Sequence, residues 1–177
     1  MSNLVDTAQS HTPPRPFLKW PGGKQWLMPR FAQILDISHG TYREPFLGGG
    51  AAFFAAQPQG AVLSDANSDL VATYRVVRDA VEPLIEELRS YPHEKAFFDA
   101  IRATDPDTDV RRAARFIYLN KTAFNGMYRV NRQGEFNVPF GSFVRPGICQ
   151  PERLLAASLS LRAAALSSLR MLLRSDG

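Results

Sequence analysis

Two glycine-containing stretches carry residue types that bind charged or nucleotide-like ligands, and the first is "EPFLGGG" at residues 44–50. A predicted strand ends there at Phe46 and three glycines lead into a predicted helix, so a ligand can approach the backbone amides closely. The spacing differs from the dinucleotide fingerprint G-x-G-x-x-G, and a tight turn is the alternative. Asp65 follows the next predicted strand, ~20 residues on, where an acid commonly binds a ribose, although a helix-capping aspartate would also suit that place. Together these features favour a cofactor with ribose hydroxyls.

The second stretch is "FLKWPGGK" at residues 17–24. Lys19 and Lys24 flank a tryptophan and a glycine pair, which suits a carboxylate or phosphate held by charge and backbone amides beside an aromatic ring. A solvated turn with a packed Trp20 is the alternative. Further along, "FIYLNKTAFNGMYRVNRQGEFNVPFG" begins as a buried helix and becomes a loop rich in aromatic, asparagine and arginine residues, a composition unsuited to a hydrophobic core.

Composition limits the kind of protein that positions these residues. The 177 residues are 45% hydrophobic and 21% charged, which suits one domain, with or without an inserted lobe. No run of 18 apolar residues and no leader is visible, so we expect no membrane span and a cytoplasmic protein. The single Cys149 forms no internal disulfide, and His11, His39 and His93 lack metal-ligand spacing, which predicts no metal. The net charge of +4 is compatible with a polyanionic partner.

The order of predicted elements indicates an α/β fold. Between residues 41 and 80 the patterns "TYREPF", "LGGGAAFFAA", "AVLSD" and "SDLVATYRVVRDA" alternate between strand and helix, which favours a parallel sheet. Helical patterns divided by turn signals at Pro92 and "DPDTD" are predicted over residues 81–122, and "PERLLAASLSLRAAAL" is a further amphipathic stretch. We therefore predict a disordered lead-in at 1–16, a sheet domain formed by 17–80 and 145–177, and an inserted helical lobe at 81–144 that carries the loop 123–142.

Four motifs are identified together as a family pattern. "FLKWPGGK", "EPFLGGGAAFF", "LSDANSDL" and "YLNKTAFNGMYRVNRQGEFNVPFG" resemble, in this order, the Dam-type DNA adenine N6-methyltransferases over about residues 16–150. The resemblance implies a Rossmann-like methyltransferase sheet with an inserted helical target-recognition lobe. It also implies transfer of a methyl group from S-adenosylmethionine to N6 of a flipped adenine in double-stranded DNA.

The resemblance assigns cofactor-binding residues by motif. The first motif contacts the amino-acid end of S-adenosylmethionine, the glycine turn runs beneath the cofactor, and the third motif holds its ribose. A sulfonium near an aromatic ring would gain from cation–π attraction. The residues at these positions are Trp20, Gly22, Gly23, Lys24, Glu44, Pro45, Phe46, Gly48, Gly50, Asp65 and Asn67.

The same resemblance assigns the loop to DNA. An aromatic residue wedges into the base stack, which assigns Phe124, and base edges are read by Asn125 and Arg129. Phe124 as an ordinary core residue is the alternative. The segment "GEFNVPFG" is predicted to support the loop as a hairpin, with Asn137 bonding to the backbone. Expected phosphate contacts are Lys121, Arg132 and Arg112.

No catalytic residue is assigned. The family uses an Asp-Pro-Pro-Tyr type motif after the lobe, whereas "DPDT" at 105–108 precedes the loop and is predicted to form a turn and helix cap. We therefore expect an incomplete sheet and a fragment, a truncated product or a split enzyme whose missing C-terminal part is a partner. A catalytically inactive DNA-binding remnant is the alternative function. A nucleotide-binding oxidoreductase is disfavoured, because the dinucleotide fingerprint is absent.

Overall fold

A computed structural model describes residues 14–21 and 40–168, in which strands and helices alternate around a parallel sheet. The elements are β1 (Tyr42–Glu44), α1 (Ala51–Ala56), β2 (Ala61–Asp65), α2 (Ser68–Asp79), α3 (Val81–Arg89), α4 (Lys95–Ala103), α5 (Asp109–Thr122), a 3₁₀ turn (Phe124–Gly126), α6 (Pro151–Leu161) and β3 (Ala164–Ser168). Most of the predicted lead-in, Gly22, Gly23, Lys24 and the chain after 168 lie outside these described residues.

The sheet of the described residues has the strand order β1-β2-β3, and both pairings are parallel. Glu44 of β1 pairs with Leu63 of β2, and Asp65 at the end of β2 pairs with Ser168 of β3. Parallel neighbours need long crossover connections, which the helices supply. The predicted α/β class is therefore confirmed, and the carboxyl ends of β1 and β2 meet at one edge of the sheet.

The strand β3 was not predicted. The sequence pattern extends the amphipathic helix to residue 166, but α6 ends at Leu161 and residues 164–168 pair along the whole of β2. Alanine and serine are weak strand formers, so tertiary pairing overrides the local preference. Two arginines of α2 add to this: Arg75 donates to the Leu166 carbonyl and Arg78 to the Ala164 carbonyl, each at 2.9 Å.

Helix caps follow the sequence signals. The Asn67 side chain accepts a hydrogen bond from the Leu70 backbone N–H at 3.0 Å, which makes Asn67 the N-cap of α2. The "DPDT" segment ends in Thr108, whose hydroxyl accepts from the Arg111 N–H at 3.3 Å and caps α5. Its predicted role as a turn and helix cap is confirmed. The strand β1 ends at Glu44 rather than at Phe46, because Pro45 has no N–H for the ladder.

Helix α5 forms the wall between two hydrophobic clusters. Phe116 and Ile117 face the main cluster around the sheet, and Tyr118 and Leu119 face a second cluster. The second cluster includes Phe136 of the loop 123–142, so the loop is anchored on the same helix that packs against the sheet side. The predicted division into a sheet domain and an inserted lobe stays a prediction. What the structure shows is a continuous apolar framework shared by both parts.

None of the helices in the described residues combines the length and the apolar character needed to cross a bilayer. Within the same ranges, no three His, Cys, Asp or Glu side chains form a group suited to a metal ion.

Candidate functional site

The glycine turn between β1 and α1 is fixed by its backbone. Gly48 has φ +50° and Gly50 has φ +70°, a left-handed region that glycine adopts without steric cost. A Cβ at Gly50 would lie 2.8 Å from the hydroxyl of the buried Tyr74, and one at Gly48 would lie 2.7 Å from Cδ1 of Trp20. Side chains other than hydrogen are therefore excluded at both positions.

Asp65 ties this turn to the end of β2. Its Oδ2 accepts a hydrogen bond from the Gly48 N–H and its Oδ1 accepts from the Asn67 N–H, both at 2.9 Å. The Gly48 carbonyl in turn accepts from the Tyr74 hydroxyl at 3.2 Å. A carboxylate offers about four acceptor positions, so two remain for a ligand. Asp65 thus organises the turn, and its predicted contact with a ribose stays a prediction.

Trp20 covers the glycine turn from the other side. Its ring is stacked with Phe116 at 6.3 Å and with Tyr128 at 6.4 Å between centroids, each at an interplanar angle of 17°. Its alternative interpretation as a merely packed residue is compatible with these contacts. The remaining residues of the motif, Gly22, Gly23 and Lys24, lie outside the described residues.

Glu44 and Phe46 differ in exposure. The Glu44 carboxylate accepts a hydrogen bond from the Tyr42 hydroxyl at 2.9 Å. Burial raises its pKa, and hydrogen bonds from Tyr42 and the Phe53 backbone oppose this in part. Phe46, two residues on, is 79% exposed. An aromatic ring left in solvent beside a rigid glycine turn is available to a ligand.

The loop after α5 presents its first residues to solvent. Phe124 is 48% exposed, so it is not a core residue, and the neighbouring Asn125 is exposed in a left-handed conformation with φ +54°. The Phe124 N–H donates to the Pro139 carbonyl at 2.9 Å, and single antiparallel bridges join Ala123 to Phe140 and Val130 to Phe136. These few bonds hold the loop without covering its tip.

The loop arginines also face solvent. Arg129 is exposed and its Nε donates to Oδ1 of Asn137 at 2.9 Å. The prediction that the Asn137 side chain bonds to the backbone was therefore wrong, since it supports an arginine instead. Arg132 is exposed near the tip, which Asn131 closes by accepting from the N–H groups of Gln133 and Glu135. Both arginines are free to meet an anionic surface, and their predicted DNA contacts stay predictions.

Lys121 does not lie where the sequence suggested. It belongs to the last turn of α5 and is only 6% exposed. The sequence predicted a surface position, open to phosphates. Burial, followed by the charges of Arg153 and Lys19, lowers its pKa to about 8. The Lys19 ammonium lies 3.7 Å from the centroid of the Phe143 ring.

A groove of about 900 Å³ lies beside the hairpin, between α2, the α4–α5 connection and the loop. Arg115 is fixed there by donating to the backbone carbonyls of Ile101 and Arg102. Acidic side chains line part of the groove too, so its charge is mixed. The polar lining includes Arg102, Arg112, Arg115, Asn131, Gln133, Asn137, Asp69, Asp105 and Glu135.

Sequence reasoning missed two residues that connect the sites. Tyr128 stacks against Phe116 with 4.0 Å between centroids, and its hydroxyl reaches Oδ2 of Asp69 in the first turn of α2 at 3.4 Å. Asn120 is fully buried and bonds to the backbone of Lys19, 101 residues away in sequence. A polar residue on the buried face of a helix, such as Asn120, is a sequence signal for a buried hydrogen bond. No sequence signal identifies Lys19 as its partner.

The sequence model of a protein family described as D12 class N6 adenine-specific DNA methyltransferase matches residues 20–169 of the chain. The chain belongs to this family. Membership of the D12 class agrees with the resemblance carried by the four motifs. It also agrees with the α/β structure, in which the glycine turn and Asp65 lie at the carboxyl edge of a parallel sheet.

Curated relatives give the same result. A type II methyltransferase, M1.LlaDCHI, of Lactococcus lactis subsp. cremoris is 41% identical in an alignment of 152 residues that covers 81% of this chain and 54% of the relative. The type II methyltransferase M.MjaIII of Methanocaldococcus jannaschii is 39% identical in an alignment of 172 residues that covers 84% of this chain and 59% of the relative. A DNA adenine methylase of Serratia marcescens is 33% identical in an alignment of 155 residues that covers 84% of this chain and 57% of the relative. The chain spans about half the length of the curated relatives that it matches.

Proposed function

We propose that the protein methylates DNA at N6 of a flipped adenine with S-adenosylmethionine, and that this chain supplies the cofactor site and the DNA-recognition loop. The observation that carries the proposal is the junction of two different sites on one framework. Trp20, which covers the glycine turn, stacks on Tyr128 of the exposed loop. Family membership supports the reaction class.

The residues present fit the cofactor. S-adenosylmethionine supplies an activated methyl group on a sulfonium, together with a ribose and an amino-acid end. The ribose hydroxyls would donate to the acceptor positions that Asp65 keeps free, and the exposed Phe46 ring would lie against the cation. The two left-handed glycines leave room for close approach to the backbone.

The loop and groove fit duplex DNA. Phe124 would enter the base stack, and Asn125 and Arg129 would contact base edges, since arginine matches the paired acceptors of guanine. Arg132 at the tip and Arg112 in the groove are placed to follow the phosphate backbone. Extrusion of the target base is required, because N6 lies within the stacked duplex.

No catalytic residue is assigned to this chain. By the resemblance, an Asp-Pro-Pro-Tyr type motif holds the amino group of the target adenine, and the 177 residues contain none. The part of this chain in the reaction is thus to bind the cofactor, to orient the DNA and to extrude the base. Groups that hold the adenine amine would come from outside these 177 residues. DNA binding without methyl transfer is the second candidate function.

Calorimetric titration with S-adenosylmethionine tests the cofactor site. The wild-type chain is expected to bind, and Asp65→Ala to weaken binding by about 1–3 kcal/mol, roughly 5- to 150-fold. Asp79→Ala is the matched control, because Asp79 is an exposed carboxylate at the far end of α2. Equal affinity in wild type and Asp65→Ala would contradict the assignment. If the wild-type chain binds DNA but does not bind S-adenosylmethionine, the second function is supported.

A fluorescent adenine analogue placed at the target base tests extrusion. A duplex selected by the wild-type chain from a random-sequence library should gain fluorescence when that chain binds, because the base leaves the stack. Phe124→Ala should lower that gain, whereas Val144→Ala should not, although Val144 is 90% exposed. An unaltered signal in Phe124→Ala would exclude the wedge.

A further inference from the structure

Asn120 joins the two halves of the proposed site through its side-chain amide. Its Oδ1 accepts from the Lys19 N–H at 2.9 Å, and its Nδ2 donates to the Lys19 carbonyl at 2.7 Å. The same Nδ2 donates to the Gly126 carbonyl in the loop at 3.1 Å. One fully buried amide thus satisfies three backbone groups on two segments that are remote in sequence.

The two segments also pack directly against each other beside Asn120. A Cβ at Gly126 would lie 2.3 Å from Cδ of Lys19, so the loop turn rests directly on the Lys19 side chain. Trp20, the next residue, stacks on both Phe116 and Tyr128. Because interiors are close-packed, a shift of the Lys19–Trp20 segment must move the loop turn as well.

The Lys19–Trp20 segment also packs against the glycine turn. Cδ1 of Trp20 lies 2.7 Å from the position of a Cβ at Gly48, whose N–H is bonded to Asp65. A second link runs from the loop to α2 through the Tyr128 hydroxyl and Asp69. The cofactor-side turn and the DNA loop are therefore connected by direct contacts in which Asn120 supplies the buried hydrogen bonds.

We infer that Asn120 is a positioning residue that couples cofactor binding to DNA binding. A ligand that orders the Lys19–Trp20 segment lowers the entropic cost of ordering the loop for the other ligand, which gives positive coupling. The coupling is reciprocal, so the cofactor and DNA raise each other's affinity by one factor. The inference rests on the proposed function, because it requires that both ligands bind.

The test measures the dissociation constant of S-adenosylmethionine with and without a duplex selected by the wild-type chain from a random-sequence library. The ratio of the two constants is expected to be about 5–150 in the wild type. In Asn120→Asp, which keeps the shape but loses the donor to both carbonyls, the ratio should fall to near one. Thr122→Val is the matched control: Thr122 is equally buried in the same helical turn, and its hydroxyl donates to the Tyr118 carbonyl within the same helix.

The outcomes separate the inference from the proposed function. A wild-type chain that binds neither ligand overturns both. A wild-type chain that binds both ligands with a ratio of one, or an Asn120→Asp chain with the wild-type ratio, overturns the coupling alone. Loss of the ratio in Thr122→Val as well as in Asn120→Asp would assign it to general destabilisation and also overturn the role of Asn120.

A second measurement needs only the wild type, in case Asn120→Asp does not fold. Hydrogen exchange is followed with S-adenosylmethionine and without DNA. Amides at 124–131 are expected to gain protection together with those at 44–50 and 65–70. Protection confined to the latter two ranges would overturn the coupling, because the cofactor would then leave the loop unaffected.

Discussion

The glycine turn and the recognition loop use opposite means to make a binding surface. In the turn, Gly48 and Gly50 are fixed by left-handed dihedrals, by Asp65 and by Tyr74, so the backbone itself is the surface. In the loop, the surface consists of exposed side chains, above all Phe124 and Arg129, on a backbone held by isolated bridges, single backbone hydrogen bonds and the buried amide of Asn120. Substitutions of the turn glycines should therefore cost folding stability, and truncations of exposed side chains in the loop should cost DNA binding alone.

The largest effect is expected for Gly50→Ala. The left-handed backbone costs about 1–3 kcal/mol, and contacts of 2.8 Å to Tyr74 and 3.0 Å to Phe54, both buried, add overpacking. A total loss of roughly 4 kcal/mol in the free energy of unfolding is expected from urea denaturation.

Gly134→Ala is the control, because Gly134 has φ +84° but nothing within 4 Å of its Cβ position. It should show the backbone cost without the packing cost. If both variants lost equal stability, close packing around the turn would not be what requires glycine there.

Arg129→Ala should separate the loop from the turn. Removing an exposed side chain should change the free energy of unfolding by less than about 0.5 kcal/mol. Binding to the selected duplex should weaken by about 1–3 kcal/mol at one base pair, with relaxed preference there. Competition binding with single-base variants of the duplex measures this.

Arg132→Ala is the matched arginine in the same loop. Its loss should be uniform over sequences, and the salt dependence of binding should fall by about one unit, as for a phosphate contact. A uniform loss for Arg129→Ala as well would make Arg129 a phosphate contact and remove it from base reading.

Local signals explain which parts of the structure could be predicted. Asn67 as a helix cap, the strand at 61–65 and the helix at 95–103 follow from residue types and periodicity within short windows. The strand at 164–168 could not be predicted in this way, because its alanines and serines become a strand only by pairing with β2.

The site shows the same division. The motifs indicate the glycine turn and the exposed loop, since both are continuous in sequence. Nothing local places Asn120 against Lys19, or predicts that Lys121 is buried with the rest of residues 116–123 at the end of α5. A lysine is expected at the surface by default, and only the packed structure shows otherwise.

Lys121→Met tests whether the buried charge at the end of α5 lowers folding stability. Because burial lowers the pKa of Lys121 to about 8, the charged amine destabilises the folded chain below that pH. Between pH 8 and the ordinary lysine value the unfolded chain binds more protons, so wild-type stability gains with pH in that window. Lys121→Met should be more stable by roughly 1–3 kcal/mol near pH 7, with the gain lost at alkaline pH.

The same variant tests the sequence-based assignment of Lys121 to DNA. If Lys121 stays buried in the complex, the salt dependence of DNA binding keeps its wild-type value. A fall of about one unit would show that Lys121 reaches a phosphate after all. A Lys121→Met chain with no stability gain near pH 7 would contradict the electrostatic cost.

The smallest effect is expected for Glu44→Gln, which tests whether the cofactor side also carries a buried charge at a cost. Burial raises the pKa of Glu44, so its contribution to stability is present at acidic pH and is lost as pH rises through the folded-state pKa. Glutamine removes that loss but accepts one hydrogen bond fewer from Tyr42 and the Phe53 backbone, and the net gain near pH 7 should stay below about 1 kcal/mol. Urea denaturation from acidic to neutral pH should show this gain growing with pH, whereas the exposed Glu86→Gln should show none. A gain that does not depend on pH would rule out the buried charge as its source. If Glu44→Gln lowers the affinity for S-adenosylmethionine while it raises stability, the glycine turn and the recognition loop share one property. Each then has a charged side chain that destabilises the fold beside its proposed ligand site, Glu44 for the turn and Lys121 for the loop.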